Sequence, residues 1–275
     1  MEKLVIGPYQ TCGLLGEGRY STVYEVVDNT DEERYALKIT CKTISQINHK
    51  FIESEIEAFK KLDRHENIIK FVTQFEDEDN SYLLLESFRG YTLQRIVFER
   101  FNIKEKKPFD IATIKNYLLQ ITDGLQYLHS KNIYHGDLTP NNILIHKDKV
   151  KIIDFGCAII DQPTNKIPSK GLTHKGTPGF APPEASRIDS SIKYVFLEAI
   201  DTWALGCVIF FIFTGTIPFI GTNFAKTLYN VFHLEVDFSD LDIEPKKICQ
   251  LIFQRDPESR PSLKVIVAMI KLLEE

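Results

Sequence analysis

The 275-residue chain has few of the residues that form covalent cross-links. Its five cysteines are scattered without paired spacing, and an odd count in a chain of this size does not describe a disulfide framework. They are Cys12, Cys41, Cys157, Cys207 and Cys249. We therefore expect a reducing intracellular compartment, cytoplasmic or nuclear.

Long apolar runs and excess positive charge are missing as well. The first eight residues lack the apolar run of a secretory signal, and the apolar stretch around Val208 to Phe213 is too short to span a bilayer. A net charge of -5 and a pI near 5.9 give no basic field for nucleic acid or an anionic lipid surface. We expect no nucleic-acid partner and no membrane association.

The chain does have enough apolar residues to fold. They make up 43% of the sequence, and the length suits one large domain or two lobes around a buried core. Internal repeats and low-complexity runs are absent from the sequence. A globular protein with ordered loops is the expectation.

Two polar motifs follow short apolar runs in the second half of the chain. Residues 134–142 read Tyr-His-Gly-Asp-Leu-Thr-Pro-Asn-Asn, and residues 154–156, twelve positions after Asn142, read Asp-Phe-Gly. Between them, residues 143–145 have the apolar pattern of a short buried strand. The polar groups therefore lie on loops at strand ends, where a scaffold can aim them.

The spacing of these polar groups suits phosphoryl transfer. Moving a phosphoryl group from ATP to a hydroxyl needs one carboxylate to orient the attacking oxygen, and oxygen ligands to hold Mg²⁺ on the phosphates. Asp137 suits the first task, and Asn142 and Asp154 suit the second. An isolated Asp-Phe-Gly is a common turn, and His-x-Asp alone carries little information, so the prediction depends on their combination.

His-x-Asp, four residues, Asn and then Asp-Phe-Gly resembles the catalytic and magnesium loops of eukaryotic-type protein kinases. The resemblance implies ATP and Mg²⁺ as cofactors and a protein substrate whose hydroxyl receives the γ-phosphate. It also implies one α+β kinase domain over residues 1–275. Its small N-lobe, about 1–86, would hold a five-stranded antiparallel sheet and one helix; a hinge, about 86–90, would lead to a mainly helical C-lobe, about 91–275.

Residues 16–23, Gly-Glu-Gly-Arg-Tyr-Ser-Thr-Val, resemble the glycine-rich loop of kinases, with Ser21 where the third glycine usually stands. Gly16 and Gly18 would let the backbone approach phosphate without a Cβ in the way. A hairpin turn explains Gly-x-Gly alone equally well. The resemblance assigns nucleotide contacts to Gly16, Glu17, Gly18, Val23, Ala36, Lys38 and Leu144.

Residues 85–90, Leu-Glu-Ser-Phe-Arg-Gly, resemble the hinge that recognises adenine. On that resemblance the carbonyl of Glu86 and the N–H of Phe88 pair with the base, and Leu85 is the gatekeeper behind it. A plain linker between lobes predicts the same sequence about as well.

Lys38 lies in Tyr-Ala-Leu-Lys, which matches the strand that supplies the phosphate-binding lysine of kinases. The helical pattern of residues 50–62 provides its partner. At about 100° per residue, Glu55 lies within the apolar face, whereas Glu53 and Glu57 point away. We therefore expect Glu55 to hold Lys38 toward the phosphates, as the corresponding pair does in kinases.

The C-terminal half adds helices and an activation segment. Asp110 is a plausible cap for a long amphipathic helix, and an almost wholly apolar helix from Asp201 through Phe213 stops at Gly215. His135 is expected to be a packed structural histidine.

The activation segment is expected between Asp154 and Glu184. Its end, residues 176–184, is similar to the serine/threonine kinase ending, and Arg260 is the expected buried partner of Glu184. Its candidate phosphorylation sites are Thr164, Ser169, Thr173 and Thr177.

Two substitutions depart from the kinase pattern. Gly136 stands where most kinases carry Arg, and Thr139 stands where serine/threonine kinases usually carry Lys. Without that arginine, a phosphate on the activation segment lacks its usual receiver, so we expect the unphosphorylated protein to be competent. Local cations are the alternative receivers, namely Lys166, Lys170, His174 and Lys175. A pseudokinase scaffold remains the alternative function, and dual specificity, as in the spindle-checkpoint kinases, the alternative specificity.

Overall fold

The computed structural model describes residues 4–18, 21–42, 46–102, 109–160, 162, 164, 166–168, 176–185 and 194–274. Within them, an antiparallel sheet near the N-terminus is followed by a mainly helical part. This is the two-lobed α+β arrangement that the resemblance implied. Ser169, Thr173, Lys170, His174 and Lys175 lie outside the described residues.

The N-terminal sheet has the strand order β1-β2-β3-β4-β6-β5, with every neighbouring pair antiparallel. Lys38 is one of three consecutive buried residues on β4, and its Nζ lies 2.7 Å from Glu55 Oε1. The strands are β1 (Val5–Ile6), β2 (Tyr9–Glu17), β3 (Ser21–Asp28), β4 (Arg34–Cys41), β5 (Phe71–Glu76) and β6 (Asn80–Glu86).

This sheet differs from the sequence prediction in two places. It has six strands rather than five, because the two-residue β1 adds to its edge and is too short to show a periodicity. The predicted strand from Ile68 begins only at Phe71. Ile68 and Ile69 instead pair with Ile152 in the second half of the chain, and Ile69 N donates to Ile152 O at 3.0 Å.

Seven α-helices lie in the described residues. Asp110 caps α3 as predicted, since its carboxylate accepts from Thr113 N at 2.7 Å. The helices are α1 (Gln46–Lys61), α2 (Leu93–Asn102), α3 (Ile111–Ser130), α4 (Leu197–Thr214), α5 (Phe224–His233), α6 (Ile243–Ile252) and α7 (Leu263–Lys271).

Short strands in the second half carry the loops of the site. One sheet has the order β10-β9-β7, and two further pairs are β11 with β8 and β12 with β13. These strands are β7 (Tyr91–Thr92), β8 (Ile133–Tyr134), β9 (Ile143–His146), β10 (Lys149–Ile152), β11 (Ile159–Ile160), β12 (Lys166–Pro168) and β13 (Tyr194–Phe196).

Helix α4 is the centre of the larger lobe. It ends at Gly215, which adopts the left-handed conformation (φ 71°) as the predicted stop. It begins at Leu197, four residues earlier than predicted, so it is long and apolar enough to cross a membrane, but 83% of it is buried inside the protein. It is therefore a core helix here.

Candidate active site

Lys38, Glu55 and Asp154 meet between the two lobes. The Lys38 Nζ lies 2.7 and 2.8 Å from the two carboxylate oxygens of Glu55, and 3.1 Å from Asp154 Oδ1. Glu55 is buried, whereas Glu53 and Glu57 are exposed. The choice of Glu55 as the partner of Lys38 is thus confirmed.

The electrostatics of this cluster keep Lys38 charged. Burial alone would lower the pKa of Lys38, but the carboxylates of Asp154 and Glu55 outweigh burial and raise this pKa above its usual value. Burial acts on Asp154 in the opposite sense, yet the Lys38 charge and the Gly156 N–H hold the pKa of Asp154 below its usual value. The cluster therefore presents a fixed ammonium beside an ionised carboxylate.

Asp137 is held by the loops on either side of it. Its Oδ1 accepts from Thr177 N at 2.7 Å, and its own N–H donates to His135 Nδ1 at 3.2 Å. Asn142 Nδ2 donates to the Asp137 carbonyl at 2.8 Å. Burial raises the pKa of Asp137 to about 6, with the Thr177 hydrogen bonds opposing the rise.

Asp201 also holds this loop, although sequence reasoning did not assign it to the site. Its side chain is fully buried in α4, and it accepts from His135 N and Gly136 N, each at 2.9 Å, and bonds to His129 Nε2 at 2.8 Å. A carboxylate within the almost wholly apolar run of α4 is the signal that could have found it, because a buried charge needs partners.

Aromatic rings form a continuous column from the sheet to the catalytic loop. Phe71 stacks on Phe59 with centroids 5.3 Å apart, and Phe59 meets Phe155 edge-on at 5.2 Å. Phe155 lies 5.4 Å from the ring of His135, which is fully buried, as predicted for a packed histidine. The column fixes Phe155 inward and so places Asp154 beside Lys38.

The glycine-rich turn has open space beside Gly16. Gly16 and Glu17 pair with Val23 and Thr22 at the ends of β2 and β3, and Gly18 N donates to Ser21 O at 2.8 Å. A Cβ at Gly16 would meet no described atom within 4 Å. The described packing therefore does not demand this glycine, and a nucleotide contact at Gly16 stays a prediction.

Two further predicted nucleotide residues, Ala36 and Leu144, lie on strands of the two lobes. Ala36 is buried on β4 opposite Leu85, and Leu144 lies on β9, paired with Thr92 of β7. In the hinge, Gly90 N donates to Phe88 O at 2.8 Å, and a Cβ at Gly90 would lie 2.6 Å from the Ile145 carbonyl oxygen. Gly90 is thus required for the close approach of the hinge to β9.

The Glu86 carboxylate faces away from the β4 pairing and supports the hinge. Its Oε1 accepts from Lys70 N at 2.8 Å and lies 2.6 Å from Lys151 Nζ. Adenine contacts at Glu86 and Phe88 stay a prediction.

Comparison with known proteins decides the family. Residues 9–270 match the family model described as the protein kinase domain. The chain belongs to the protein kinase family. It is 34% identical over 272 residues to the probable serine/threonine-protein kinase CCRP1 of Zea mays, covering 95% of this chain and 41% of that protein.

Two further relatives differ in the activity that their names state. The serine/threonine-protein kinase PLK2 of Mus musculus is 31% identical over 258 residues, which cover 92% of this chain and 36% of that protein. The inactive serine/threonine-protein kinase PLK5 of Mus musculus is 31% identical over 266 residues, which cover 93% of this chain and 41% of that protein. The chain therefore spans less than half the length of these relatives.

The magnesium ligands expected of a kinase fit the side chains at this site. Asp154 Oδ1 accepts hydrogen bonds from Lys38 Nζ and Gly156 N, and 44% of the Asp154 side chain is exposed. Because the side-chain N–H of Asn142 donates a hydrogen bond to the Asp137 carbonyl, the Asn142 amide oxygen is the atom left to bind a cation. Oxygen donors of this kind are what Mg²⁺ prefers.

The two departures from the kinase pattern lie in tightly packed places. Gly136 adopts a left-handed conformation (φ 73°), and a Cβ there would lie 2.5 Å from the Cys157 carbonyl oxygen. Thr139 is buried, and its carbonyl accepts from Asn142 N at 2.9 Å. Both residues therefore contribute to the shape of the catalytic loop as well as removing positive charge from it.

The end of the activation segment is anchored as the sequence predicted. Both carboxylate oxygens of Glu184 bond to the Arg260 guanidinium, one of them at 2.9 Å, and both side chains are buried. Arg260 Nη1 also donates to the Ala199 carbonyl at 3.1 Å. A fork of this kind fixes the geometry of the segment end.

Proposed function

We propose that this kinase domain is an active, ATP- and Mg²⁺-dependent protein serine/threonine kinase. The observation that carries the proposal is the assembled state of its parts. Lys38 is paired with Glu55 and bonded to Asp154, while Asp137 is held by Thr177 N at 2.7 Å. In kinases the lysine to glutamate pair and the magnesium-binding aspartate must both be in place for transfer.

Each residue has a task that follows from its position. Asp137 accepts a hydrogen bond from the substrate hydroxyl and so orients the attacking oxygen toward the γ-phosphate. Lys38, held by Glu55, contacts the phosphates of ATP. Asp154 and Asn142 would hold Mg²⁺, which when bound supplies positive charge that neutralises the phosphate oxygens.

Serine and threonine are the proposed acceptors. The backbone N–H of Thr177 donates to Asp137 Oδ1, and the segment that contains it, residues 176–184, is similar to the serine/threonine kinase ending. The names of the maize and mouse relatives agree with this acceptor class.

Asp154→Asn tests the proposal, with Asp148→Asn as the matched control, because Asp148 is an exposed carboxylate of the same lobe. Transfer of radiolabelled phosphate from ATP to degenerate Ser, Thr and Tyr peptide libraries is measured at saturating Mg²⁺. We expect transfer to Ser and Thr by the wild type and the control, and none by Asp154→Asn. A wild type that binds ATP but transfers nothing would favour the pseudokinase scaffold.

A further inference from the structure

A small antiparallel sheet joins the activation segment to the strand that directly precedes helix α4. In it β12 pairs with β13, so that Lys166 lies opposite Phe196, Ile167 opposite Val195 and Pro168 opposite Tyr194. Strand pairing ties two stretches of chain through backbone groups that need no modification. The sheet therefore gives the segment an attachment of its own.

A small apolar cluster fixes strand β13 of this sheet. Val195 is fully buried in this cluster, which is separate from the main core and which we call the segment cluster. Its buried members are Tyr134, Ala185, Val195, Leu197 and Ile200, with Ile159 and Ile167 packed against them. Because Ala185 directly follows Glu184, the buried Glu184 to Arg260 pair lies next to this cluster.

The other strand of the sheet, β12, packs close to the catalytic loop. Ile167 packs on the same cluster as Tyr134, which is only 5% exposed and stands three residues before Asp137. Tyr134 pairs with Ile159 across β8 and β11. A shift of Ile167 would therefore be felt at the loop that carries Asp137, since packed apolar side chains transmit displacement.

Among the residues that the structure describes, Gly136 and Lys166 are the two positions that bear on a phosphate of this segment. Gly136 offers no side chain. The Lys166 ammonium lies 5.3 Å from the ring centre of Tyr194 and 5.8 Å from that of Phe196, within cation–π range. Thr164 donates its hydroxyl hydrogen to the Lys166 carbonyl at 2.6 Å, so a phosphate on Thr164 would remove a donor that holds the start of β12.

We propose that Ile167 and Val195 are positioning residues, and that the strand pair they centre holds the activation segment in its substrate-accepting position without a phosphate. The proposal rests on the proposed function, because a substrate-accepting position presupposes transfer. Apolar packing and strand pairing here replace the arginine to phosphate contact that Gly136 cannot make. Neither residue touches the substrate or the nucleotide.

Ile167→Ser is the test, because Ile167 is only half-buried, whereas a polar residue at Val195 would threaten folding. Ile111→Ser is the matched control, since Ile111 is a half-buried isoleucine at the start of α3, packed on the main core. In phosphatase-treated protein, we expect Ile167→Ser to raise the peptide KM and lower kcat/KM more than about tenfold, with ATP affinity unchanged. Ile167→Val should restore wild-type kinetics, and Ile111→Ser should keep them.

Limited trypsin digestion gives a second readout that needs no activity. Cleavage after Lys166 should be faster in Ile167→Ser than in the wild type and in Ile111→Ser at equal thermal stability. Equal cleavage in all three proteins would overturn the proposal, as would an Ile167→Ser variant with wild-type kinetics, or a wild type that loses more than about tenfold in rate on phosphatase treatment. A wild type with no transfer but protected Lys166 would instead remove the proposed function and leave the strand attachment standing.

Discussion

The Lys38 ammonium lies between both oxygens of the Glu55 carboxylate, at 2.7 and 2.8 Å. The pair joins strand β4 to helix α1, and it holds the lysine chain extended toward Asp154. A buried pair of this geometry is stable only while both partners remain, since either charge alone would be left unpaired in a low-dielectric place. The first prediction follows from this.

Glu55→Gln should lower the rate of phosphate transfer by more than about tenfold, roughly 1.4 kcal/mol of barrier. Glutamine keeps the shape of the side chain but loses the charge that fixes Lys38, so the ammonium swings toward Asp154 alone. Steady-state kinetics would measure the loss. Glu57→Gln, on the exposed face of the same helix, is the control and should keep the wild-type rate; equal losses in both variants would deny the pair its role.

Asp201→Asn should destabilise the protein by about 1–3 kcal/mol at neutral pH, because an amide NH₂ would face a backbone N–H that a carboxylate now satisfies. Urea unfolding measures the difference. Burial would raise the pKa of Asp201, but the bonds from His129 and the Gly136 N–H outweigh it and hold the pKa below its usual value.

The stability that the Asp201 carboxylate contributes therefore has a defined pH dependence. A depressed folded-state pKa stabilises the protein above the unfolded pKa of about 3.9 and loses that effect as the pH falls through the folded value. The difference between wild type and Asp201→Asn should accordingly be constant from pH 5 upward and shrink only in stronger acid. A difference that already shrinks between about pH 7 and 5 would point to another titrating group.

Glu184→Ala should cost about 3–5 kcal/mol of unfolding free energy, because it leaves the buried Arg260 guanidinium without its counter-charge. The double variant Glu184→Ala with Arg260→Met should recover a large part of that loss by removing the unpaired charge. Chemical denaturation of the single and double variants completes the cycle. A double variant as unstable as the sum of both single variants would show that the pair is not coupled.

Gly136→Ala should destabilise the protein by about 1–3 kcal/mol, because the added Cβ meets the Cys157 carbonyl oxygen in a left-handed conformation. Thermal unfolding would show it, with Gly16→Ala as control, since Gly16 has open space around it. Unchanged stability at Gly136 would mean that the loop relaxes away from Cys157.

Local sequence patterns predicted much of this fold. The amphipathic period of α1 singled out Glu55 from its two glutamate neighbours, and the Asp110 cap and the Gly215 stop follow from the chemistry of one turn each. Asp137, Asn142 and Asp154 were likewise found by spacing, and the structure places Asp154 beside Lys38 and bonds Asn142 to Asp137.

The features that sequence reasoning missed depend on contacts between distant residues. Asp201 meets the catalytic loop 65 positions away, and β12 pairs with β13 across 25 intervening residues. The two-residue β1 and the start of β5 at Phe71 are set by pairing partners, not by local composition. Loop closure over such separations leaves no period in the sequence.

Asp137→Asn offers the most direct test of the central claim that this domain transfers phosphate. Transfer from radiolabelled ATP to a Ser/Thr peptide library is compared among wild type, Asp137→Asn and the control Asp148→Asn, with ATP binding measured in parallel by thermal shift. The account predicts equal ATP binding by all three, transfer by wild type and control, and a loss of about a hundredfold or more in Asp137→Asn. Near wild-type transfer by Asp137→Asn would contradict it.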